Sequence, residues 1–197
     1  MTKNAIVFAD GSSEKVDAIV FCTGYRYSFP FFSDDIIKIK DERIEPIYKH
    51  MFHIDYPNMI FLGIPRQFSY FPHFYEMARL AVLVLSDKVQ LPSRKEMLEE
   101  SEIDFQSRLK EGKTTSFAHY MGDGSRQFRY NEELATIGGF DPLPPVISMI
   151  WDDVMDERYM NIVHAKDIDY QITGHDSYRC LNPKDIKSRM SKAENVV

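Results

Sequence analysis

The residues best suited to bind a ligand lie in residues 63–79, between a glycine and an apolar helical pattern. Gly63 ends a short apolar run, Gln67 follows in a loop, and a helix is predicted to begin near His73. A helix N-terminus carries a partial positive charge, which suits an anionic ligand or the polarised edge of a ring. An amide such as that of Gln67 can donate and accept hydrogen bonds at once. The alternative is that Gln67 bonds only to the loop backbone.

A second candidate is the turn Cys22-Thr23-Gly24-Tyr25. It follows residues 16–21, which are unbroken and apolar from Ala18 onward, and this pattern predicts a strand buried on both faces of a parallel sheet. Ligands of open α/β sheets bind beyond the carboxyl ends of the strands, so the turn is a candidate ligand-facing turn. Residues 59–63 also have the pattern of a strand that ends in a glycine. We therefore expect the two strands to end at the same ligand-binding edge of the sheet. The alternative is a buried strand with a tight exit and no ligand.

Other chemistry has weaker support in the sequence. His50 and His53 have a short spacing that could suggest a metal, but no further His or Cys completes a ligand set. A hydrolase is not indicated, because the chain has no G-x-S-x-G motif. Methionines at helical positions are interpreted as core packing; they are Met77, Met149, Met155 and Met160.

Composition limits the class of protein. The chain has 197 residues, of which 44% are hydrophobic and 27% charged, so it is long and apolar enough for one ordinary globular domain. A net charge of −6 argues against a nucleic-acid or anionic-membrane surface. Cys22 and Cys180 are interpreted as reduced thiols of a cytoplasmic protein. No run approaches the 18 or so apolar residues of a transmembrane segment.

Periodicity and turn signals predict the order of elements. A hairpin is expected from strands 5–9 and 16–21, because Asp-Gly lies between them. Helices are predicted at 73–88, at 94–110 behind a Ser93–Glu96 capping box, at 131–137 capped by Asn131, and at 146–163. Beyond residue 166 the chain is expected to be irregular.

Two stretches resemble the flavin-containing monooxygenases. Residues 17–32 resemble the family's D-x-[IV]-[IV]-F-[AC]-T-G-Y … F-P-F segment, and residues 63–78 resemble its flavin-side loop, G-x-x-x-Q-x-x-[ST]-F-x-x-F-[DE]-x-Q-A. The loop departs from the pattern at Tyr70 and Met77. Shorter likenesses occur at 91–97, at 130–135 and 138–146, which look like the insect branch, and at Ser177-Tyr178-Arg179.

The resemblance implies a function and a set of cofactor contacts. It implies an FAD- and NADPH-dependent monooxygenase that oxygenates the nitrogen of an amine or the sulfur of a sulfide with O₂, through a C4a-hydroperoxyflavin. No catalytic acid or base and no metal ligand is expected, and a homodimer is left open. Carried over by position, the cofactor-binding residues are Thr23, Gly24, Tyr25, Gln67, Tyr70 and Arg179.

The expected fold class is α/β: an incomplete FAD/NAD(P)-binding Rossmann-type domain with few strands, followed by a mainly helical C-terminal region. The bounds expected are 1–90 for the FAD-domain part, 91–183 for the helical region and 184–197 for a disordered tail. The chain contains no G-x-G-x-x-G turn, which the family carries twice upstream, so we expect a C-terminal portion of such an enzyme. The alternative is a non-catalytic remnant or interaction module that binds no FAD. A cytoplasmic location is expected, with membrane association of the full-length relatives left open.

Overall fold

The computed structural model describes residues 5–66, 69–122, 124–160, 162–163 and 165–181. These residues form four helices and eight short strands, and the expected fold class is confirmed as mixed α/β with few short strands. The helices are α1 (Tyr70–Leu85), α2 (Arg94–Lys110), α3 (Gly124–Gly138) and α4 (Val146–Met160). None of the described helices is long and apolar enough to cross a bilayer.

The strands pair as four antiparallel hairpins of two strands each. They are β1 (Ala5–Val7) with β2 (Ser13–Lys15), β3 (Lys38–Lys40) with β4 (Arg43–Glu45), β5 (Ile47–Tyr48) with β6 (Phe52–His53), and β7 (Asp169–Gly174) with β8 (Ser177–Leu181). A first hairpin is present with Asp10-Gly11 in its turn, but its second strand is Ser13–Lys15 and not the predicted 16–21. The Asp10 carboxylate accepts from the Ser12 N–H at 2.9 Å and holds the turn. The β7–β8 hairpin corrects the expectation that the chain is irregular after residue 166.

The expected buried strand at 16–21 is not formed. These residues belong to no strand, and the side chains of Val20 and Phe21 are 82% and 77% exposed. A strand buried on both faces needs hydrogen-bonded neighbours and a covering layer, and no described strand pairs with this run. The strand expected at residues 59–63 is not formed either, because Ile60 makes only an isolated bridge with Phe52.

The main core lies between α1 and α3 and is closed by the β5–β6 hairpin and the start of α2. Its buried members come from these elements and from the segment before α3, and the most deeply buried of them are Met51, Phe52, Met77, Leu80, Met121 and Leu134. A smaller cluster joins Ile37, Ile44, Ile47 and Ile64, with aromatic rings from residues 27–32 packed against it. Ile64, in the loop that leads into α1, is buried in the smaller cluster.

The side of α1 that faces away from α3 is also apolar. Phe71, Tyr75, Val82 and Leu85 are separated by four, seven and three residues, so they share one face of the helix. Each of these four side chains is more than half exposed. We call these four residues the outer stripe. α1 therefore has one apolar side packed in the core and a second that the described residues leave uncovered.

Helix α3 begins seven residues before the predicted start. Asn131, expected to cap it, lies in its middle and is buried, with its Oδ1 2.9 Å from the Nδ1 of His73 on α1. An asparagine beside an apolar run is typical of an N-cap, because its side chain can bond to the backbone. Here the same side chain is used for a contact between two helices, which the local pattern does not reveal.

Helix α2 has the predicted bounds, and its capping box is confirmed. The Ser93 hydroxyl accepts from the Glu96 N–H at 3.4 Å, and the Glu96 carboxylate accepts from the Ser93 N–H at 2.8 Å. Two N–H groups that the helix cannot pair internally are thereby satisfied.

We expect Ser93→Ala to lower the free energy of unfolding by about 1 kcal/mol, because the Glu96 N–H loses its acceptor. Urea unfolding followed by circular dichroism measures this change. Ser93→Asp keeps an acceptor at the cap and serves as the control, with a change within about 0.5 kcal/mol. Equal losses in the two variants would show that the cap bond does not stabilise α2.

Candidate functional site

The first turn of α1 is anchored from outside the helix. Ser69 precedes the helix with an extended backbone and makes no side-chain capping bond. Its N–H donates instead to Oε1 of Gln127, a buried side chain of α3, at 2.5 Å. The N-terminal turn that presents Tyr70 therefore has its backbone held by α3.

The loop before α1 is held by a second segment of chain. The Arg66 N–H donates to the His119 carbonyl at 2.8 Å, and the Arg66 carbonyl accepts from the Met121 N–H at 2.9 Å, which forms a short parallel bridge. Gly63, at the start of this loop, has a φ of +101°, a conformation that side chains with a Cβ rarely adopt. A Cβ there would also lie 3.5 Å from the ring of Phe74.

Tyr27 connects the two candidate turns. Its hydroxyl donates to the Ile64 carbonyl, and its ring lies 5.1 Å from the Arg66 guanidinium. Partial burial and the nearby Glu42 carboxylate raise the pKa of Tyr27 to about 12 against the opposing charge of Arg66, so the hydroxyl remains a donor. The segment that follows Gly24 is thus fixed beside the loop that precedes Gln67.

A cleft of about 620 Å³ opens at the first turn of α1. One wall is Ser69–Pro72 with Tyr120 and Gly122, and the other is a stripe of α4. The α4 stripe consists of Ile147, Ile150, Trp151, Val154, Met155 and Arg158. The cleft therefore has apolar walls, one guanidinium and the positive end of a 16-residue helix, an arrangement that suits a flat ring with a polar, electron-rich edge.

Of the predicted site residues that the structure describes, Tyr70 alone lines the cleft. Tyr70 is 59% exposed and lines the cleft. Thr23, Gly24 and Tyr25 are exposed in a segment without secondary structure, and Gly24 has a φ of +79°. Gln67 lies outside the described residues. That Thr23, Gly24, Tyr25 and Gln67 contact the cofactor stays a prediction.

Arg179, the sixth predicted cofactor residue, lies on β8. Its guanidinium donates to the Gln171 side chain on the paired strand at 3.2 Å, and it is not among the residues that line the cleft. The structure therefore groups Tyr70 with the cleft and places Arg179 in a hairpin contact. Its part in binding NADPH stays a prediction.

The α4 wall of the cleft was missed by the reasoning from sequence. Its residues recur every three or four positions, a signal that predicts a contact face but not what is contacted. The methionines were interpreted uniformly as core, which is right for Met77 but wrong for Met149 and Met160, whose side chains are exposed. Met155, 38% exposed, lines the cleft.

A larger cavity of about 820 Å³ lies between the β4–β5 segment, α2 and α3, and it is lined by paired charges. The Arg43 guanidinium contacts Glu45 and Glu102 at 2.8 Å each, Lys49 contacts Glu133 at 3.0 Å, and Arg126 contacts Glu111 at 2.5 Å. Because these charges neutralise one another, the cavity offers little net attraction to a charged ligand. We interpret it as part of the scaffold.

The buried His119 meets the half-buried His50 at the edge of this cavity. His119 Nε2 accepts from the Ile44 N–H at 3.0 Å, so the proton of its neutral ring is assigned to Nδ1, 2.9 Å from Nδ1 of His50. His50 Nε2 in turn faces the Asp104 carboxylate at 3.4 Å. Burial lowers the pKa of His50 and holds the pKa of His119 well below its usual value. His50, which the sequence offers as a weak candidate metal ligand, belongs to this hydrogen-bonded chain.

Comparisons with known proteins identify the family. The model of the family described as FMO-like, flavin-binding monooxygenase-like, matches residues 1–180. Flavin-containing monooxygenase FMO GS-OX-like 2 of Arabidopsis thaliana is 36% identical over 133 residues, which are 66% of this chain and 28% of that protein. FMO GS-OX-like 9 of the same plant is 36% identical over 140 residues, 70% of this chain and 30% of its own length. The chain thus spans less than a third of these relatives.

Two solved structures share the fold. The S-allyl-L-cysteine S-oxygenase of Allium sativum superposes with a TM-score of 0.70 at 27% identity, covering 97% of this chain and 40% of that one. Tmm of Pelagibacter sp. strain HTCC7211 superposes with a TM-score of 0.65 at 21% identity over 90% of this chain and 39% of its own. The likeness to the insect branch stays a prediction, whereas the resemblance to the wider family is confirmed. The chain belongs to the flavin-binding monooxygenase-like family.

Proposed function

We propose that this chain is the C-terminal portion of an FAD- and NADPH-dependent monooxygenase that transfers one oxygen of O₂ to the nitrogen of a small amine or the sulfur of a small sulfide. The observation that carries the proposal is the cleft between the first turn of α1 and α4. The absence of a G-x-G-x-x-G turn from the sequence, and the share of each relative that the chain covers, support the assignment to a portion of the enzyme.

The residues of the cleft fit a flavin ring. The backbone of Ser69–Pro72 would face the polar edge of the ring, Trp151 would pack on its flat surface, and Arg158 would supply a positive charge. FAD, when bound and reduced by NADPH, supplies the activation of oxygen. The chain itself orients the ring and excludes water from it, which requires no acid or base among these residues. Thr23, Gly24, Tyr25 and Gln67 are proposed as further contacts from the adjoining loops.

The remaining assignments follow from the family. We propose residues 1–90 as part of the FAD domain and 91–183 as the helical region of a cytoplasmic protein, with a homodimer left open. The tail predicted at 184–197 lies outside the described residues. A sulfide substrate is supported by the structural similarity to the S-allyl-L-cysteine S-oxygenase of Allium sativum. Arg179 is proposed as a contact of NADPH.

Fluorescence of Trp151, the one tryptophan of the sequence, tests the proposal, because the residue lines the cleft. We expect FAD to quench this fluorescence saturably. Val154→Phe replaces a small side chain of the cleft wall by an aromatic ring. We expect it to raise the Kd for FAD about tenfold, because a side chain too large for its site costs about 1 kcal/mol or more. Val82→Phe makes the same change on the outer stripe and is the matched control, with a Kd within about twofold of the original.

A folded chain whose Trp151 fluorescence does not respond to FAD would contradict the proposal. That result would favour the alternative function, an interaction module that binds no FAD. The observation that supports this alternative is the outer stripe, because an exposed row of large apolar side chains is typical of a contact surface.

A further inference from the structure

The side chain of Gln127 joins α3 to the start of α1. It is fully buried, and its Oε1 accepts from the Ser69 N–H at 2.5 Å. Ser69 itself makes no side-chain capping bond, and this amide oxygen satisfies the N–H of Ser69, the N-cap residue of the helix that borders the cleft.

The orientation of the amide follows from its partner. A backbone N–H can only donate, so the oxygen of Gln127 must face Ser69, since the reverse orientation would bring two donors together. Nε2 of Gln127 is then left without a partner among the described residues. A buried donor with no acceptor costs about 1–3 kcal/mol, so packing alone would favour an apolar side chain of this length. An apolar side chain could fill the same space but could not accept the hydrogen bond from the Ser69 N–H.

The same stretch of chain holds both ends of the loop. His119 and Met121 fix Arg66 through two backbone hydrogen bonds, and Gln127 fixes Ser69. Two residues lie between these anchors, and one of them is Gln67. The two described residues that flank this segment, Arg66 and Ser69, are therefore both held by hydrogen bonds from residues 119–127.

We propose that Gln127 is a positioning residue for the flavin-side loop, which it holds through the Ser69 N–H so that the loop and the first turn of α1 face the cleft together. The assignment rests on the proposed function, because the ligand of the cleft is taken to be FAD. Gln127 does not line the cleft and is not proposed to touch the ring.

Hydrogen exchange of the Ser69 amide, measured by NMR without FAD, tests the hold on the loop. In Gln127→Met the side chain keeps its length but loses the acceptor, and we expect exchange at Ser69 to accelerate about tenfold or more. Gln127→Glu retains an acceptor oxygen at a helix N-terminus that favours negative charge, so it is expected to restore the protection. Gln106→Met makes the same change on the exposed face of α2 and is expected to leave Ser69 unaffected.

Titration with FAD, followed by the fluorescence of Trp151, tests the role in binding. We expect Gln127→Met to raise the Kd about tenfold and Gln127→Glu to recover most of the affinity, because a hydrogen bond of about 1.4 kcal/mol corresponds to that ratio. Unchanged exchange at Ser69 would overturn the proposal. Faster exchange with an unchanged Kd would also overturn it, because the loop would then move without affecting the flavin.

The two proposals fail in different ways. If the original chain shows no response to FAD, the proposed function is contradicted. The exchange rates, which require no ligand, still decide whether Gln127 holds the loop.

Discussion

Replacing Arg108 by methionine is expected to lower the free energy of unfolding by about 2–3 kcal/mol. Arg108 is buried, and its guanidinium donates to the Asp104 carboxylate at 2.9 Å and to the Tyr120 carbonyl at 2.6 Å. The substitution leaves both acceptors without their donor. Because the Asp104 side chain is 40% exposed, water recovers part of its solvation and the loss is smaller than for a fully buried pair.

Urea unfolding measures this loss, and a second arginine provides the control. Arg94 forms an ion pair with Asp55 at 2.5 Å, but its side chain is 64% exposed, so Arg94→Met is expected to cost less than about 0.5 kcal/mol. Similar losses of unfolding free energy in the two variants would show that the contacts of the buried Arg108 stabilise the fold no more than those of an exposed arginine. Combining Arg108→Met with Asp104→Asn should cost less than the sum of the two single changes, because the residues share one interaction.

Acid is expected to weaken the protein well before its carboxylates are protonated. Burial lowers the pKa of His73 to about 4, although its contact with Asn131 opposes the shift. The unfolded chain, with a histidine pKa of about 6.5, binds the proton first, so the stability due to neutral His73 is complete above pH 6.5 and is lost as the pH falls towards 4. The difference of 2.5 units corresponds to about 3 kcal/mol.

The variant His73→Phe isolates this contribution. The His73 ring is stacked on Tyr130 with centroids 5.1 Å apart, and phenylalanine can keep that stacking but cannot be protonated. We expect the free energy of unfolding of the variant to fall by about 3 kcal/mol less than that of the original chain between pH 7 and pH 4. Parallel curves for the two proteins would contradict the prediction. Measurements at pH 8 give the baseline, since the histidine is neutral there in both states.

Other groups shift stability over different ranges of pH. Burial also lowers the pKa values of His50 and His119, which adds to the loss below pH 6.5. Burial raises the pKa of Glu76, so the folded chain binds a proton there more readily and acid stabilises it in part. Although burial opposes its charge, contacts with His50 and Arg108 hold the pKa of Asp104 well below its usual value, so its contribution is lost only below about pH 4.

Local signals predicted the elements whose determinants are local. Both ends of α2 were predicted correctly from Ser93, Glu96 and the residues after them. This was possible because the cap bonds join residues only three positions apart. The start of α1 was expected three residues late, since Tyr70–Pro72 carry no cap of their own. Their backbone is held by Gln127, more than 50 residues away in sequence.

The errors arose where partners are distant in sequence. The run 16–21 has the composition of a buried strand, but burial depends on neighbouring strands that the run does not specify. The role of Asn131 depends on His73, and the α4 wall of the cleft depends on the loop before α1. The likeness to a flavin-side loop did direct attention to Tyr70, which lies in the cleft, but no spacing within α4 distinguished Trp151 and Arg158 from ordinary core residues.

The outer stripe connects the side of α1 that faces away from α3 with the cleft, because Phe71 belongs to the stripe and also lines the cleft. A helix with one packed side can turn slightly about its long axis, because its contacts restrain it from one direction only. A body resting against Phe71, Tyr75, Val82 and Leu85 would restrain it from the opposite direction and remove that freedom. Because a helix turns as a rigid rod, the orientation of Ser69–Pro72 towards the cleft would then depend in part on the body that contacts the outer stripe.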